Sequence, residues 1–336
     1  MIHTFSFYVN GVNNQDLQQL FTLNNINLNQ FTYIKAAVEK LNQRLKQKLN
    51  QALVISSIIF NCDNDWTVKC KVDVTKLLSR GTIKETDYHE VERILRTFFD
   101  QYCGSAEYFD QHVLTRIDYK YDICIPSATD RKLLFFLFEK YTSLYRFKVK
   151  VKWGKDENGK PLKYETSQYH KNNSVQIIVY DKEAERRANN EIILPYERNI
   201  LRYELRLHNQ HLNSMKREDS KGHSQSKKLS VYFVDSMWEY YMKKNILSIF
   251  RLGDFYKVYE AKKVVKNSSY TRNRKEKLIK FLTTVSKGTI DTPKKHMSAP
   301  TYRQIIKDLE SIDVNPVLIP KNRKDFPPYF KNPFQI

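Results

Sequence analysis

Glycine is scarce in this chain, with eight among 336 residues. Neither Gly-x-Gly-x-x-Gly nor Gly-x-x-x-x-Gly-Lys-Ser/Thr occurs, so no glycine loop is present to cradle a dinucleotide or a nucleoside triphosphate. Any helicase work therefore falls to a partner. Cysteine is equally sparse. Cys62, Cys70, Cys103 and Cys124 form no Cys-x-x-Cys pair and have no histidine at zinc-finger spacing, which predicts reduced, mostly buried thiols in a cytosolic protein. Long apolar runs are missing too. "ALVISSIIF" and "LLFFLF" fall far short of a membrane span, and "MIHTFSFYVNG" has neither a basic flank nor a long apolar stretch, so a soluble, cytoplasmic protein with no membrane partner is expected.

Negative charge is also in short supply. Lys and Arg number 57 against 37 Asp and Glu, a net charge of +20. The excess is uneven, because residues 211–336 hold 26 basic and 12 acidic side chains. Such an excess attracts a polyanion and makes the binding salt-sensitive, and nucleic acid is the partner it points to first.

What is present in the first half is a series of strand patterns separated by helical ones. "HTFSFYV" reads as a strand, and "ALVISSIIF" and "WTVKCKVDV" read as a hairpin across the polar turn "NCDND". A helix follows, with Val91, Ile94, Leu95 and Phe98 on one stripe, then a strand over "HVLTRIDYKYDI" and a buried helix over "TDRKLLFFLFEKYTSLY". "FKVKVKWG", "KYETSQYH" and "SVQIIVYDK" are further strands, with a turn at "DENGKP". "KEAERRANN" reads as a short helix. The alternation implies an α+β fold on a mainly antiparallel sheet, followed by a basic helical C-terminal region. Three segments are expected: an α+β domain over 1–212, a linker or exposed loop over 213–228, and a basic helical DNA-binding region over 229–336.

Two strands carry an unusual charge pattern. In "ILRYELRLHNQH", Leu201, Tyr203, Leu205 and Leu207 alternate with Arg202, Glu204, Arg206 and His208. "TRIDYKYDI" sets Ile117, Tyr119, Tyr121 and Ile123 against Arg116, Asp118, Lys120 and Asp122. Asp118 and Glu204 on neighbouring strands would suit a divalent cation, with His208 as a third ligand. The plain alternative is a solvated face of salt bridges. At the end of "SVQIIVYDK", Tyr180 and Lys182 lie two apart, so a strand that continued would put them on one face, where the ammonium favours the phenolate and the charge that develops at phosphorus. Asp181 is expected to pair with a basic residue or to cap the following helix. Tyr240 and Tyr241 read as packing residues, with a second nucleophile there as the alternative.

The order of these motifs resembles the gene II/X family of phage and plasmid replication proteins. The resemblance rests on "WTVKCKVDVTKLL", "LTRID", "YETSQYHKNNSVQIIVYDKEAE", "LRYELRL" and "TYRQIIKDLESIDVNPVLIP". It implies a rolling-circle nickase in which Tyr180, within Tyr-x-Lys, attacks the scissile phosphate and leaves a 5′-phosphotyrosine and a 3′-hydroxyl. Lys182, Arg202 and Arg206 would stabilise the charge, and Asp118, Glu204 and His208 would hold Mg²⁺ or Mn²⁺. No His-hydrophobe-His motif is present, so the metal would rest on carboxylates. Origin DNA, a host helicase and a host DNA polymerase are the implied partners, with a homodimer as one assembly, and "TYRQIIKDLESI" is a candidate groove helix. A non-enzymatic origin binder and an RNA-binding protein are the competing classes.

Overall fold

The computed structural model describes residues 1–49, 51–141, 148–150, 153–155, 161–163, 167–218, 222–247 and 250–334. Strand β1 (Ile2–Val12) is followed by helices α1 (Asn14–Thr22) and α2 (Ile34–Lys48), the hairpin β2 (Leu53–Phe60) and β3 (Trp66–Asp73), the short α3 (Val74–Leu77), α4 (Tyr88–Cys103) and β4 (Val113–Cys124). Then come α5 (Ala128–Tyr141), the strands β5 (Lys148–Lys150), β6 (Trp153–Lys155), β7 (Pro161–Lys163), β8 (Ser167–Lys171) and β9 (Val175–Asp181), α6 (Lys182–Ala188) and β10 (Ile200–His208). Helices α7 (Asn209–Lys216), α8 (Leu229–Tyr232) and α9 (Asp235–Met242) lead to a π-helical turn at Lys243–Leu247. The C-terminal part holds β11 (Phe255–Tyr256), α10 (Val258–Asn267), α11 (Arg272–Ser286), α12 (Ala299–Glu310) and β12 (Tyr329–Phe330). The α+β class read from the sequence is the one observed.

Two compact units divide the chain. One comprises Met1–Tyr121, Asn173–Gln176 and Glu204–Tyr240, and the other Asp122–Asn172, Ile177–Tyr203 and Tyr241–Ile336. They interleave along the sequence, unlike the successive segments 1–212 and 229–336, because β4, β9 and β10 each run through both. Within the first unit the strand order is β2, β3, β1, β4, β10. β1 pairs antiparallel with β3 (Phe7 opposite Cys70) and with β4 (Thr4 opposite Asp118), and β2 pairs antiparallel with β3 (Ile55 opposite Cys70). Phe5, Phe7, Val68, Val72, Leu95, Phe99 and Phe109 are all buried in its core. α4 stops where Gly104 takes φ 78°, a left-handed turn that costs glycine little. Within the second unit the order is β10, β9, β8, β5, and Phe138, Tyr203, Phe250 and Phe334 form an aromatic cluster with ring centroids 4.1–5.0 Å apart.

The β2–β3 hairpin follows the sequence reading, with its turn closed by Asn61 N–H donating to Asp65 O at 2.9 Å and Asn64 at φ 59°. Other expectations are corrected. Residues 213–228 are not a linker from their first residue, since α7 continues to Lys216. Lys227 is buried, its Nζ donating to Asn209 and Asn213 at 2.6 and 2.8 Å. The apolar run "VYFVDSMWEYYMKKNILSIF" is broken into α8, α9 and the π-helical turn, and "DFY" pairs as a strand before α10. Of the thiols, Cys70 and Cys103 are buried, whereas Cys62 and Cys124 are exposed. Helices α1 and α2 carry apolar stripes, Leu17, Leu20 and Phe21 in one and Val38, Leu41 and Leu45 in the other, that the strand-centred reading passed over. Residues 156–160 of "DENGKP" and parts of "FKVKVKWG" and "KYETSQYH" lie outside the described residues. No helix among the described residues is long and apolar enough to cross a membrane.

Candidate functional site

Much of the densely ionisable strand faces is withdrawn from water. On β10 the apolar set Leu201, Tyr203, Leu205 and Leu207 is fully buried, yet Arg202 and Glu204 on the other face are only 2% and 4% exposed. On β4, Asp118 is fully buried. Charges withdrawn this far from water must be neutralised by partners, and they are, around Asp118 and at the β9–α6 junction.

The first cluster is built around Asp118. Arg116, two residues away on the same face of β4, donates from Nε to Asp118 Oδ1 at 2.8 Å and from Nη2 to Oδ2. Arg206 donates from Nε to both Asp118 oxygens at 3.1 and 3.2 Å and from Nη2 to Glu204 Oε1 at 3.3 Å. Thr4 adds a hydroxyl donor to Oδ2 at 2.6 Å. The β1–β4 register slips between Ile2 and Thr4, a bulge, and the residue at the slip, His3, lies 3.6 Å from Glu204 Oε1 through Nδ1 and 3.9 Å from Asp73 Oδ2 through Nε2. Burial alone would raise the Glu204 carboxyl, but the His3 imidazole 3.6 Å away and the Arg206 guanidinium hold it well below the usual carboxylate range. The same two carboxylates raise the Arg206 guanidinium against the opposing effect of its burial.

The second cluster surrounds the β9–α6 junction. Tyr180, 7% exposed, is the last residue but one of β9. The strand does not continue to Lys182 as expected. Asp181 accepts from Ala184 N–H at 3.0 Å and caps α6, where Glu183 and Glu185 sit in the first turn and Arg186 and Arg187 in the last. Asp181 also accepts from Arg131 Nε at 2.8 Å, so both roles expected of it are filled. Lys182 is nonetheless turned back over the tyrosine, its Nζ 5.8 Å from the Tyr180 ring centroid. That ammonium donates to Glu185 at 2.7 Å and lies 3.8 Å from Glu197, which Arg186 grips through Nε and Nη2 at 2.9 and 2.6 Å. Burial first, then the Arg202 charge, lowers the Lys182 pKa from the ordinary lysine value. Arg202 itself makes a bidentate pair with Asp122 at 2.6 and 2.9 Å.

The sequence-predicted residues therefore divide as Asp118, Glu204 and Arg206 in one cluster and Tyr180, Lys182 and Arg202 in the other. His208 closes β10 and stands at the N-cap of α7, its N–H donating to Ser174 O at 2.9 Å. The histidine that reaches Glu204 at 3.6 Å is His3, which no local pattern in "HTFSFYV" singles out, because only the pairing of β1 with β4 brings it there. Of the other two tyrosines, Tyr241 is buried and Tyr240 is 47% exposed.

Asp118 and Glu204 offer the hard oxygen donors that Mg²⁺ or Mn²⁺ prefers. In this arrangement they do not fit one. Both Asp118 oxygens are taken by guanidinium and hydroxyl donors, and a cation would face Arg116 and Arg206 across carboxylates they already neutralise. Among the described residues no three His, Cys, Asp or Glu side chains come together as a metal-binding group.

Comparison with protein-family models and with curated proteins returned no match.

Proposed function

We propose that this protein is a rolling-circle replication initiator that nicks one strand of an origin with Tyr180 as nucleophile. The observation that carries the reading is the β9–α6 junction, where a tyrosine at a strand end lies under a lysine ammonium, with Arg202 close enough to depress that lysine's pKa. In the proposed step the Tyr180 oxygen bonds to phosphorus, the bond from phosphorus to the 3′-oxygen breaks, and the phenol proton ends on the departing 3′-oxygen. Lys182, held over Tyr180, and Arg202 supply positive charge to the phosphorane. The resulting 5′-phosphotyrosine preserves the bond energy for rejoining, and the 3′-hydroxyl would prime a host polymerase behind a host helicase. A divalent cation enters this reading only if Arg116 or Arg206 releases Asp118.

One observation favours a second reading, a non-enzymatic origin binder: Arg202 is fully engaged by Asp122, and Asp118 by Arg116 and Arg206, as in a purely structural network. Incubating wild type and Tyr180→Phe with supercoiled plasmid carrying the protein's own gene, with Mg²⁺ or with chelator, separates the two. Relaxed circles with wild type only support the nickase. Intact circles with both proteins, alongside tight duplex binding, support the binder.

A further inference from the structure

The C-terminal helices hold a surface that neither cluster uses. α10 and α11 are joined by four residues, Ser268–Thr271, and α12 packs against α11 through the Tyr302 and Phe281 rings, 5.8 Å apart. α11 buries one stripe, Leu278, Phe281, Leu282 and Val285, at the i, i+3, i+4, i+7 spacing of a single helical face. The opposite face carries Arg272, Asn273, Glu276, Lys277, Lys280 and Lys287, all exposed. One carboxylate stands there among four cations. Arg272 reaches Glu276 at 3.1 Å, with its side chain 92% exposed.

The helix is locked at both sides. Arg274 is paired with Asp308 of α12, Lys275 Nζ donates to Lys266 O at the end of α10 at 2.8 Å, and the hydroxyl of Tyr270, in the turn, bonds Asp308 O at 3.2 Å and Ser311 Oγ at 2.7 Å. Its cations are thus presented on a rigid rod of fifteen residues, about 22 Å long at ~1.5 Å per residue.

We propose that α11 is the helix that enters the major groove of duplex DNA, with Arg272, Lys277 and Lys280 on phosphates and Asn273 against a base edge. Two helices linked by four residues, the second exposed and basic, and braced by a third, is the arrangement of helix-turn-helix readers, and the major groove admits one helix. A membrane surface would need the apolar stripe, which is buried against the neighbouring helices. Single strands are gripped by aromatic stacking, and the exposed face of α11 carries no aromatic residue. α12 offers less to a phosphate backbone, exposing two cations, Arg303 and Lys307, along its length. The inference rests on the proposed function only in taking DNA as the partner; it requires no cleavage.

The test is fluorescence anisotropy of the full chain on a labelled random-sequence DNA duplex over a salt series. It compares wild type, Arg272→Ala/Lys277→Ala/Lys280→Ala, and the charge-matched Lys321→Ala/Lys324→Ala/Lys331→Ala, with melting curves to show all three folded. The α11 variant is expected to bind about tenfold more weakly or worse, and its slope of log K against log salt to fall by about 3, at ~0.9 for each phosphate no longer neutralised. The control should keep the wild-type slope. An unchanged α11 variant, an equal loss in the control, or single-stranded DNA or RNA bound as tightly and released as completely by the α11 substitutions would overturn the assignment. Because binding is read without cleavage, an inactive Tyr180 leaves this result standing, and failure here leaves the nicking assay untouched.

Discussion

Asp118 shows how far one side chain can be committed. Fully buried, it receives two guanidiniums and a hydroxyl, so removing its charge takes away the carboxylate that Arg116 and Arg206 share and leaves Arg206 with Glu204 alone. Asp118→Asn is expected to cost roughly 3–5 kcal/mol in chemical denaturation, as breaking buried ion pairs does. A loss below about 1 kcal/mol would mean that water reaches the cluster. His112 makes a comparable commitment. Its Nε2 accepts Leu229 N–H at 2.8 Å while Nδ1 faces Phe109 O, which fixes one neutral tautomer. Burial lowers the His112 and His170 pKa values to about 4. Because the folded pKa lies below the unfolded value, protons bind the unfolded chain preferentially, and stability is lost as pH falls from about 6.5 toward 4, by roughly 3 kcal/mol for each histidine. Glu204 and Asp73, depressed in the fold, add a second acid limb, their contribution present above about pH 4 and lost below it. Melting temperature followed from pH 8 to 3 should show both limbs; a flat profile from 7 to 5 would contradict the histidine account. Alternation made the charged residues legible, and adjacent strands made Asp118 and Glu204 neighbours in expectation. The burial of that face and the arrival of His3 and Thr4 were not legible, since both depend on pairing with β1, more than a hundred residues away from β4 in sequence.

Among the elements, β2 poses a physical problem. It ends the strand order of its unit, holds no charged residue, and exposes Val54, Ile59 and Phe60, which is the profile of an edge that recruits further strands. Asn42 of α2 blocks it. Its side-chain amide donates to Ile55 O at 2.7 Å and accepts from Ile55 N–H at 2.9 Å, occupying the backbone groups an incoming strand would need. Asn42→Leu should therefore increase self-association, measured by sedimentation velocity as a shift from wild type at equal concentration; an unchanged distribution would show that α2's bulk alone protects the edge. Strands and the hairpin were legible because period-two alternation and turn residues are local signals. The breaks at α8, α9 and the π-helical turn were not, because an apolar run with helical period says nothing of where tertiary packing interrupts it. The end of β9 at Asp181 is a similar case: the capping carboxylate was legible, but its consequence, a lysine turned back over Tyr180 from a helix, required the structure.

For the whole molecule, the net charge of +20 and its concentration in residues 211–336 were plain from composition, and α11 gives that charge a surface. The interleaving of the two compact units was hidden, since nothing local marks a strand that serves both. The central claim is that Tyr180 is the nucleophile. It is tested most directly by trapping the covalent adduct on DNA carrying the protein's own gene, digesting the DNA to a nucleotide remnant and the protein with trypsin, and finding the modified peptide by mass spectrometry. Cleavage after Lys171 and Lys182 yields "NNSVQIIVYDK", in which Tyr180 is the single tyrosine. A nucleotide mass on that peptide, absent in Tyr180→Phe, is the predicted result; a nucleotide on any other tyrosine peptide, or cleaved DNA with no adduct, would contradict it.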